Sequence, residues 1–367
     1  MTVVVKEPAP KPLRGLDDHR PPQCTLIAGL TYHTGHSCLS RPFANFAVVP
    51  LLNFSSNPSS FASFRAFRGS IPLSLHFCFI ISTFSFQLFS LMRIFLTGGT
   101  GFIGSYFLKL ALAAGHEIVA LRLPGTVPVV PISGSPEWLE APLDCVPLDA
   151  MCGCDALVHF AAHGVSPQPT DWNISFEINV RQSLVLMAAA LEAEVPHLVA
   201  CGSCFEYGKS GERYEFIPAD APLEPIGSYA ASKAAFSLAF GAMARSSNSG
   251  FSLLRPFHLF GEGQHPSNFW SSLRSAALSG ADFPMTAGGQ IRDYQPVEAV
   301  AAAFLSAAES NPPPDGLRVR NLGSGTPIAL RDFASSWWKH WDAVGTLKIG
   351  ALPYREDEVM RFVPKII

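Results

Sequence analysis

Tyr229 and Lys233 stand four residues apart in the segment Tyr-Ala-Ala-Ser-Lys. On an α-helix, residues i and i+4 share a face, so we expect the lysine ammonium beside the tyrosine phenol. A nearby cation favours the phenolate and pulls its pKa from about 10 towards neutrality. A tyrosine tuned in this way can take a proton from a hydroxyl while hydride leaves the same carbon, or return it in reverse. The pair therefore predicts acid–base catalysis coupled to oxidoreduction.

A glycine-rich turn, TGGTGFIG, follows the apolar run MRIFL and precedes a helical pattern that runs from Ser105 to Ala114. In this context the first glycine of the fingerprint permits a tight turn, the second lets the backbone approach a pyrophosphate, and the third lets helix and strand pack closely. The N–H groups at the helix start add the positive end of the helix dipole. The turn predicts a dinucleotide site. Its expected contacts are Gly98, Thr100, Gly101, Phe102, Ile103 and Gly104.

The second expected strand, from His116 to Leu121, ends at Arg122. A fold that binds NAD usually carries an acidic residue there, which holds both ribose hydroxyls. Arg122 instead offers a cation that can pair with a 2′-phosphate. The residue favours NADP over NAD, and a solvent-facing Arg122 with NAD bound stays open.

Together these motifs resemble the extended short-chain dehydrogenases/reductases, the NAD-dependent epimerase/dehydratase family that modifies sugar nucleotides. Tyr229 follows the glycine turn by about 125 residues, as in that family. The resemblance covers roughly residues 92–365. It implies an α/β fold with a Rossmann-type doubly wound parallel sheet and a small C-terminal substrate-binding lobe. We expect the NAD(P)-binding core over 92–255 and the lobe mainly over 256–367, with late strands returning to the core.

The resemblance also assigns further cofactor residues. The segment from Asp155 to His163 looks like the family's D-x-V-x-H-x-A-A strand, in which Ala161 and Ala162 pass beneath the cofactor and His159 is packed. Asn179 matches an asparagine of the family's central helix. Where relatives have Gly-Asp at the adenine, this chain reads Ala-Pro-Leu-Asp around Leu143, so we expect backbone groups of that segment to contact the base.

Ser203 matches the family's Ser/Thr-x-x-x-Tyr-Gly motif, in which the hydroxyl bonds the reacting oxygen of the substrate. Sugar-nucleotide 4,6-dehydratases of this family carry Asp-Glu directly after that residue, as acid and base for water elimination. Here Cys204 and Phe205 stand at those positions, which disfavours a dehydratase. Glu206 lies one step further, and we expect it to point elsewhere.

Three residues of the C-terminal part match or replace the family's substrate contacts. His258 stands where relatives carry an asparagine that touches the diphosphate. Arg292, in GQIRDY, matches a phosphate ligand. Arg355 is a candidate second clamp, because planar guanidinium forks suit diphosphate oxygens; a surface ion pair for Arg355 stays open.

The resemblance implies oxidoreduction at a sugar carbon, C4 in most relatives, of a nucleoside-diphosphate sugar, by an epimerase or a 4-ketoreductase. Tyr229 is the expected acid/base, NADP or NAD the cofactor, and a homodimer the expected assembly. A non-catalytic NAD(P)-binding regulatory protein is the alternative from another class.

Composition excludes other classes. The chain has 367 residues and a net charge of -3 with no basic run, so we expect no nucleic-acid partner. Its eight cysteines lack the spacing of a disulfide scaffold or a zinc site, so we expect no metal, cysteines buried as small hydrophobes, and a cytoplasmic protein.

Residues 1–91 differ from the rest in being rich in Pro, Ser and Phe without sustained periodicity. The mostly apolar run from Ile71 to Met92 is long enough to span a bilayer, but polar residues interrupt it and it abuts the first strand directly. We expect an atypical extension, unstructured or not native, with Met92 as the natural start. A membrane anchor is the less favoured alternative, and another appendage stays open.

Overall fold

The computed structural model describes residues 91–165, 170–314 and 316–366. The expectations for the N-terminal extension and for nearly all of the apolar run before Met92 therefore lie outside the described residues. The proposed division into an extension, a cofactor core and a substrate lobe stays a prediction.

The described chain alternates strands and helices through its first half. In chain order these elements are β1 (Arg93–Thr97), α1 (Phe102–Ala113), β2 (Glu117–Arg122), β3 (Glu137–Glu140), β4 (Ala156–His159), α2 (Trp172–Phe176), α3 (Ser183–Glu192), β5 (His197–Cys201), α4 (Gly227–Ala244) and β6 (Gly250–Pro256). The second half contains β7 (His258–Phe260), α5 (Phe269–Ser279), β8 (Phe283–Met285), β9 (Ile291–Arg292), β10 (Tyr294–Pro296), α6 (Val297–Glu309), β11 (Leu317–Leu322), β12 (Ile328–Ala329), α7 (Leu330–His340), β13 (Leu347–Ile349) and β14 (Arg361–Phe362).

Seven parallel strands form the central sheet in the order β11-β6-β5-β4-β1-β2-β3. The order reverses at β1, which pairs with β2 on one side and with β4 on the other. Ligands of open α/β sheets bind outside the carboxyl ends of the strands at such a reversal. The topology confirms the Rossmann-type fold and places the glycine turn, which follows β1, at that position.

Helices cover both faces of this sheet, which explains why its central strands are apolar runs. Successive side chains of a strand point to opposite faces. In β1, Ile94 packs with Phe107 of α1 and Phe304 of α6, whereas Phe95 packs with Phe236 of α4 on the opposite face. The two buried clusters fix the ends of the strands against the helices that carry the site.

The C-terminal part builds a smaller lobe beside the sheet. Helices α5 and α7 pack together with β8 and β13 around Leu273, Met285, Ala334 and Trp338. A three-stranded sheet in the order β12-β9-β14 lies next to them and carries Arg292. The observed lobe agrees with the fold class expected from the sequence.

The helix predicted from Trp172 to Val195 is continuous through Glu192, but its middle, Glu177–Gln182, is a π-helical turn. Among the described helices this 21-residue stretch is long and apolar enough to cross a membrane. Such a helix is also common in protein cores, and Leu186, Met187 and Ala190 on it are buried against the sheet. The stretch therefore has a structural role in this fold.

Three of the described cysteines, Cys154, Cys201 and Cys204, are buried with free thiols, as expected. Burial raises the pKa of Cys154 and of Cys201 to about 11. Cys145 and Cys152 are disulfide-bonded, so the prediction that the cysteines are all buried thiols is wrong for these two. Within the described ranges, no cluster of His, Cys, Asp and Glu could hold a metal ion.

Candidate active site

Two positions of the glycine turn, Gly98 and Gly104, leave no room for a side chain. Gly98 has φ +71°, and a Cβ there would lie 2.6 Å from the backbone nitrogen of Ala161, at the end of β4. A Cβ on Gly104 would overlap the carbonyl oxygen of Gly98. The turn is closed by a hydrogen bond from the Gly101 N–H to the Gly98 carbonyl at 2.9 Å. These contacts leave a bare backbone surface at the switch point of the sheet.

The first turn of α1 begins next to this surface, and no side chain caps its backbone N–H groups. Its N-cap residue, Gly101, has no side chain that could accept from them, and the first turn carries no acidic residue. Thr100, Phe102 and Ile103 flank the same helix start. A dinucleotide pyrophosphate supplies the negative charge and acceptor oxygens that such a helix start lacks. The residues present thus fit an NAD-type cofactor.

The segment that follows β4 lies next to the glycine turn. The backbone N–H of Ala161 donates to the Thr97 hydroxyl at 3.3 Å, and Ala162 comes next in the chain. His159 is buried, with Nδ1 2.7 Å from the Thr97 hydroxyl and Nε2 3.1 Å from the Ser183 hydroxyl. Burial, reinforced by the charge of Lys233, lowers the pKa of His159 to about 3. His159 is therefore a neutral packing residue.

Asn179 was expected to contact the cofactor, but its amide is engaged within the protein. Its Oδ1 accepts from the His163 N–H at 2.7 Å, and its Nδ2 donates to the His163 carbonyl and to the Ser232 hydroxyl, both at 2.9 Å. Asn179 is buried within the π-helical turn. The residue thus ties the segment after β4 to α4, which carries Tyr229, and the structure gives it a positioning role.

Leu143 follows β3, where adenine recognition was expected to rest on backbone groups. Its side chain is buried with Val119 and Leu121, so the main-chain atoms of Leu143, rather than its side chain, are available to a ligand. The next residue, Asp144, is bound by Arg181 of the central helix. The contact between Leu143 and a base stays a prediction.

Arg122 ends β2 as predicted, but it is not a free cation. Its guanidinium lies 2.8 Å from the carboxylate of Glu140 and 4.7 Å from the centre of the Trp138 ring. The register of the β2–β3 pair places Arg122 directly opposite Glu140. The expectation of a free cation at this position is therefore wrong, since the guanidinium is paired with Glu140, and contact between Arg122 and a cofactor stays a prediction.

Ser203, Tyr229 and Lys233 meet beyond the carboxyl end of β5. Ser203 is buried two residues after the strand and accepts a hydrogen bond from the Phe205 N–H at 3.3 Å. Tyr229 and Lys233 lie on α4, with Tyr229 half-buried and Lys233 buried. The ammonium of Lys233 donates to the Cys201 carbonyl oxygen, the last of β5, at 2.5 Å. The sheet order brings these residues beside the glycine turn, since β4 alone separates β5 from β1.

The predicted lowering of the Tyr229 pKa is wrong for this structure. Desolvation raises the pKa of the phenol above its ordinary value, and the nearby thiol of Cys201 adds to the effect. A hydrogen bond with the Ser203 side chain acts in the opposite direction. The Lys233 ammonium is hydrogen-bonded to the carbonyl oxygen of Cys201.

The positions that carry acid and base in dehydratases hold no such groups here. Cys204 is buried, and burial raises its thiol pKa far above the ordinary range. Phe205 is half exposed and contacts the rings of His258 and Phe362. Neither side chain can exchange a proton with a substrate. Glu206 is fully buried, and its Oε1 accepts a hydrogen bond from the backbone N–H of Ser203 at 2.7 Å.

His258 begins β7 and faces an aromatic environment formed with Tyr294 and Phe362. Its Nδ1 is buried and has no hydrogen-bond partner within the described structure. Burial, with the charge of Arg292, lowers the pKa of His258 to about 3. The residue therefore presents a neutral imidazole, and contact with a diphosphate stays a prediction.

Arg292, the predicted phosphate ligand, is also paired. Its Nη2 donates to Glu358 at 2.7 Å, and its Nη1 donates to the carbonyl oxygen of Ile291 at 3.1 Å. Arg355 is exposed and forms no ion pair among the described residues. The two guanidiniums therefore differ: one is buried and bound to a carboxylate, and the other is in solvent.

Sequence reasoning missed both carboxylates that pair with the predicted anion ligands, Glu140 and Glu358. A sequence signal existed for Glu358, which follows Arg355 by three residues in an acidic run. No local signal marked Glu140, because its pairing depends on the register of two strands that are 18 residues apart.

Comparison with known proteins agrees with this site. A family model described as the NAD dependent epimerase/dehydratase family matches residues 94–323. A UDP-glucose 4-epimerase of Corynebacterium glutamicum is 25% identical, over 65% of this chain and 78% of that protein. A CDP-abequose synthase of Salmonella muenchen is 24% identical, over 73% of this chain and 87% of that one.

A solved structure extends this likeness to the fold. It is an NAD-dependent NDP-hexosamine 5,6-dehydratase of tunicamycin biosynthesis, 27% identical, with a TM-score of 0.66 over 74% of this chain and 88% of that one. The family model spans more than half of the chain and includes the glycine turn, Ser203, Tyr229 and Lys233. The chain belongs to the NAD-dependent epimerase/dehydratase family of sugar-nucleotide enzymes.

Proposed function

We propose that the protein catalyses oxidoreduction at a sugar carbon, C4, of a nucleoside-diphosphate sugar, with Tyr229 as the acid/base. The observation that carries this proposal is the meeting of Ser203, Tyr229 and Lys233 beside the glycine turn. A bound nicotinamide supplies hydride transfer to or from that carbon. The protein's own residues must then hold the reacting oxygen and move its proton.

Tyr229 and Ser203 divide that task. The Tyr229 phenol exchanges the proton of the sugar oxygen, and the Ser203 hydroxyl holds the same oxygen by a hydrogen bond. Because the phenol pKa is raised in the cofactor-free protein, Tyr229 is protonated at neutral pH and is ready to act as an acid. Acting as a base requires positive charge close to the phenol. The Lys233 ammonium can supply that charge by exchanging its bond to the Cys201 carbonyl for one nearer the site.

The expected substrate is a nucleoside-diphosphate sugar because Arg292 and Arg355 lie in the C-terminal lobe and because the relatives carry sugar-nucleotide names. Arg292 is buried next to the aromatic group around His258, where a sugar has rings to pack against. Arg355 is exposed close by in sequence to Glu358, the present partner of Arg292. A diphosphate that reaches Arg292 has to replace that carboxylate.

Of the two reactions in view, the epimerase is favoured. The pairing of Arg122 with Glu140 opposes a 2′-phosphate and so favours NAD, which an epimerase keeps bound while it removes and returns the same hydride. The second candidate is a 4-ketoreductase that uses NADPH. The observation in its favour is Arg122 itself, a cation at the end of β2 that becomes available where a phosphate displaces Glu140.

The test uses the full chain with a panel of UDP-, CDP- and dTDP-sugars deuterated at C4. An epimerase returns the label to the product without net use of cofactor, whereas a reductase consumes NADPH in proportion to product. Tyr229→Phe should lower turnover about 100-fold or more, in line with the loss of a general acid/base, and should leave cofactor binding within a few-fold of wild type. If both proteins bind cofactor and neither turns over any member of the panel, a non-catalytic regulatory protein is the better description.

A further inference from the structure

Glu206 is a fully buried carboxylate that the proposed chemistry does not use. Its Oε1 accepts a hydrogen bond from the backbone N–H of Ser203 at 2.7 Å. Ser203 in turn accepts from the Phe205 N–H through its side chain, so the two residues cap the short helix after β5 reciprocally. The carboxylate is thus bound to the main chain of the residue whose hydroxyl holds the reacting oxygen.

Arg255, the penultimate residue of β6, holds this carboxylate from the other side. Its Nε donates to Oε2 of Glu206 at 2.7 Å, and both side chains are almost completely buried. The Nη1 group of Arg255 is also bound, to the Tyr207 hydroxyl at 3.0 Å and to the Ala219 carbonyl at 2.9 Å. The guanidinium lies 4.9 Å from the centre of the Tyr207 ring. Arg255 therefore has little freedom to rotate away from Glu206.

The turn between β5 and Ser203 is shaped around this pair. A Cβ on Gly202 would lie 2.8 Å from the Arg255 side chain and 2.8 Å from Oε1 of Glu206. Gly202 itself is held to β6 by a hydrogen bond from its N–H to the Leu254 carbonyl at 2.7 Å. The two strand ends and the charged pair thus form one rigid unit that ends at Ser203.

A buried ion pair is a poor source of stability, because desolvation of the two charges offsets their attraction and an apolar pair of similar volume often does as well. Its geometry is a better guide to its role. We infer that Glu206, held in place by Arg255, is a positioning residue that fixes the Ser203 hydroxyl against the reacting oxygen of the substrate. The inference rests on the proposed function, since it gives Ser203 a substrate to hold.

The decisive variant replaces both charges, Glu206→Met with Arg255→Met. The apolar pair is expected to fold, but it offers no acceptor to the Ser203 N–H. We expect kcat to fall about 10- to 100-fold, because a displacement of about 1 Å at a reacting group has an effect of that size. KM and the cofactor Kd should stay within about twofold, because the pair lies outside the diphosphate and dinucleotide contacts. A double variant with native-like Tm and wild-type kcat overturns the inference.

Two further variants are needed: Glu206→Gln as a second test of the carboxylate and Ser252→Ala as a control for sheet stability. Glu206→Gln sets an amide N–H₂ against either the Arg255 Nε or the Ser203 N–H, so we expect a similar loss of kcat per folded molecule. Ser252→Ala removes a buried 2.9 Å hydrogen bond to His197 between the same two strands, at their opposite ends. This control should lower Tm and leave kcat unchanged. A loss of kcat in Ser252→Ala equal to that in Glu206→Gln would assign the effect to sheet stability and contradict a positioning role.

A readout without turnover separates this inference from the proposed function. A hydrogen bond to a carboxylate shifts the Ser203 amide proton downfield in the NMR spectrum, and the shift should disappear in the double variant. A wild-type protein that turns over no sugar nucleotide contradicts the proposed function, whatever the amide proton does. An amide shift that is the same in wild type and double variant contradicts the inference, whatever the activity.

Discussion

Replacing Glu140 by Gln should move the cofactor preference towards NADP. Glu140 lies 2.8 Å from the Arg122 guanidinium at the carboxyl end of β2, where a 2′-phosphate binds in NADP-dependent relatives of this fold. Glutamine keeps the size of the side chain and removes its charge. The substitution therefore removes repulsion of a phosphate and releases Arg122 to bind it.

The size of the expected change in cofactor preference depends on the exposure of the ion pair, which is 23% for the Arg122 side chain and 43% for that of Glu140. Solvent reaches both groups, so a water-like dielectric applies, and two unit charges about 6 Å apart interact by ~0.7 kcal/mol. A phosphate with roughly 1.5 to 2 negative charges thus gains about 1 to 1.4 kcal/mol. Release of Arg122 from an exposed ion pair adds at most about 1 kcal/mol. A total of ~1–2.4 kcal/mol corresponds to about a 5- to 60-fold change in the ratio of dissociation constants.

The assay is titration of wild type and Glu140→Gln with NADPH and NADH, followed by nicotinamide fluorescence at low and at high ionic strength. The ratio of the two Kd values should change by the stated factor at low salt and by less at high salt, because ions screen exposed charges. Glu224→Gln is the matched control, since Glu224 pairs with Arg213 at 2.7 Å and its side chain is exposed to nearly the same extent as that of Glu140. The double variant Glu140→Gln with Arg122→Gln should lose most of the gain. An unchanged ratio in Glu140→Gln would refute the assignment of Arg122 to the ribose site.

Three further predictions concern the glycine turn, the phenol and the lobe. Gly104→Ala should weaken NAD binding, measured by calorimetry, by about an order of magnitude or more, because its Cβ overlaps the Gly98 carbonyl and forces the turn open; unchanged binding would show that the turn yields without loss. In the cofactor-free protein, the 295 nm absorbance difference between wild type and Tyr229→Phe should show a phenol that titrates above pH 10, since desolvation raises its pKa; titration below pH 9 contradicts that environment. Glu358→Gln should lower KM for a sugar nucleotide about 3- to 10-fold by releasing Arg292 from its 2.7 Å ion pair, and a higher KM would mean that Glu358 itself contacts the substrate.

Features set by local chain geometry could be predicted from the sequence. The glycine turn is one, because only glycine tolerates φ +71° at Gly98 and the close approach of β4. The pair of Tyr229 and Lys233 is another, because helical spacing puts both residues on one face of α4. Helical spacing could not predict which acceptor the Lys233 ammonium binds. Lys233 donates to the Cys201 carbonyl at the end of β5, and that contact depends on how α4 packs.

Features set by strand register or by contacts distant in sequence could not be predicted. Asn179 was assigned to the cofactor from its place in a family motif, yet its amide joins His163 to Ser232, 53 residues further along the chain. Glu206 was expected to point away from the site, but nothing local identified its partner, Arg255, 49 residues away. In each case the side chain has several possible partners, and only the packed fold selects among them.

The depth of each ion pair decides whether a ligand can compete for its cation. The guanidiniums of Arg122 and Arg292 were both assigned to ligand phosphates, and both are bound to carboxylates in the protein. The Arg122 pair is the more exposed, so separating it costs at most about 1 kcal/mol, which a 2′-phosphate would have to offset and which NAD, without that phosphate, leaves intact. The side chains of Arg292 and Glu358 are only 10% and 20% exposed, so a diphosphate must take the place of the Glu358 carboxylate rather than simply attract the guanidinium. The ion pair of Glu206 and Arg255 is buried, and removing one of its two charges costs about 3 to 5 kcal/mol of folding free energy. We therefore expect the Glu206 carboxylate to stay bound to the Ser203 main chain while a substrate diphosphate competes with Glu358 for Arg292.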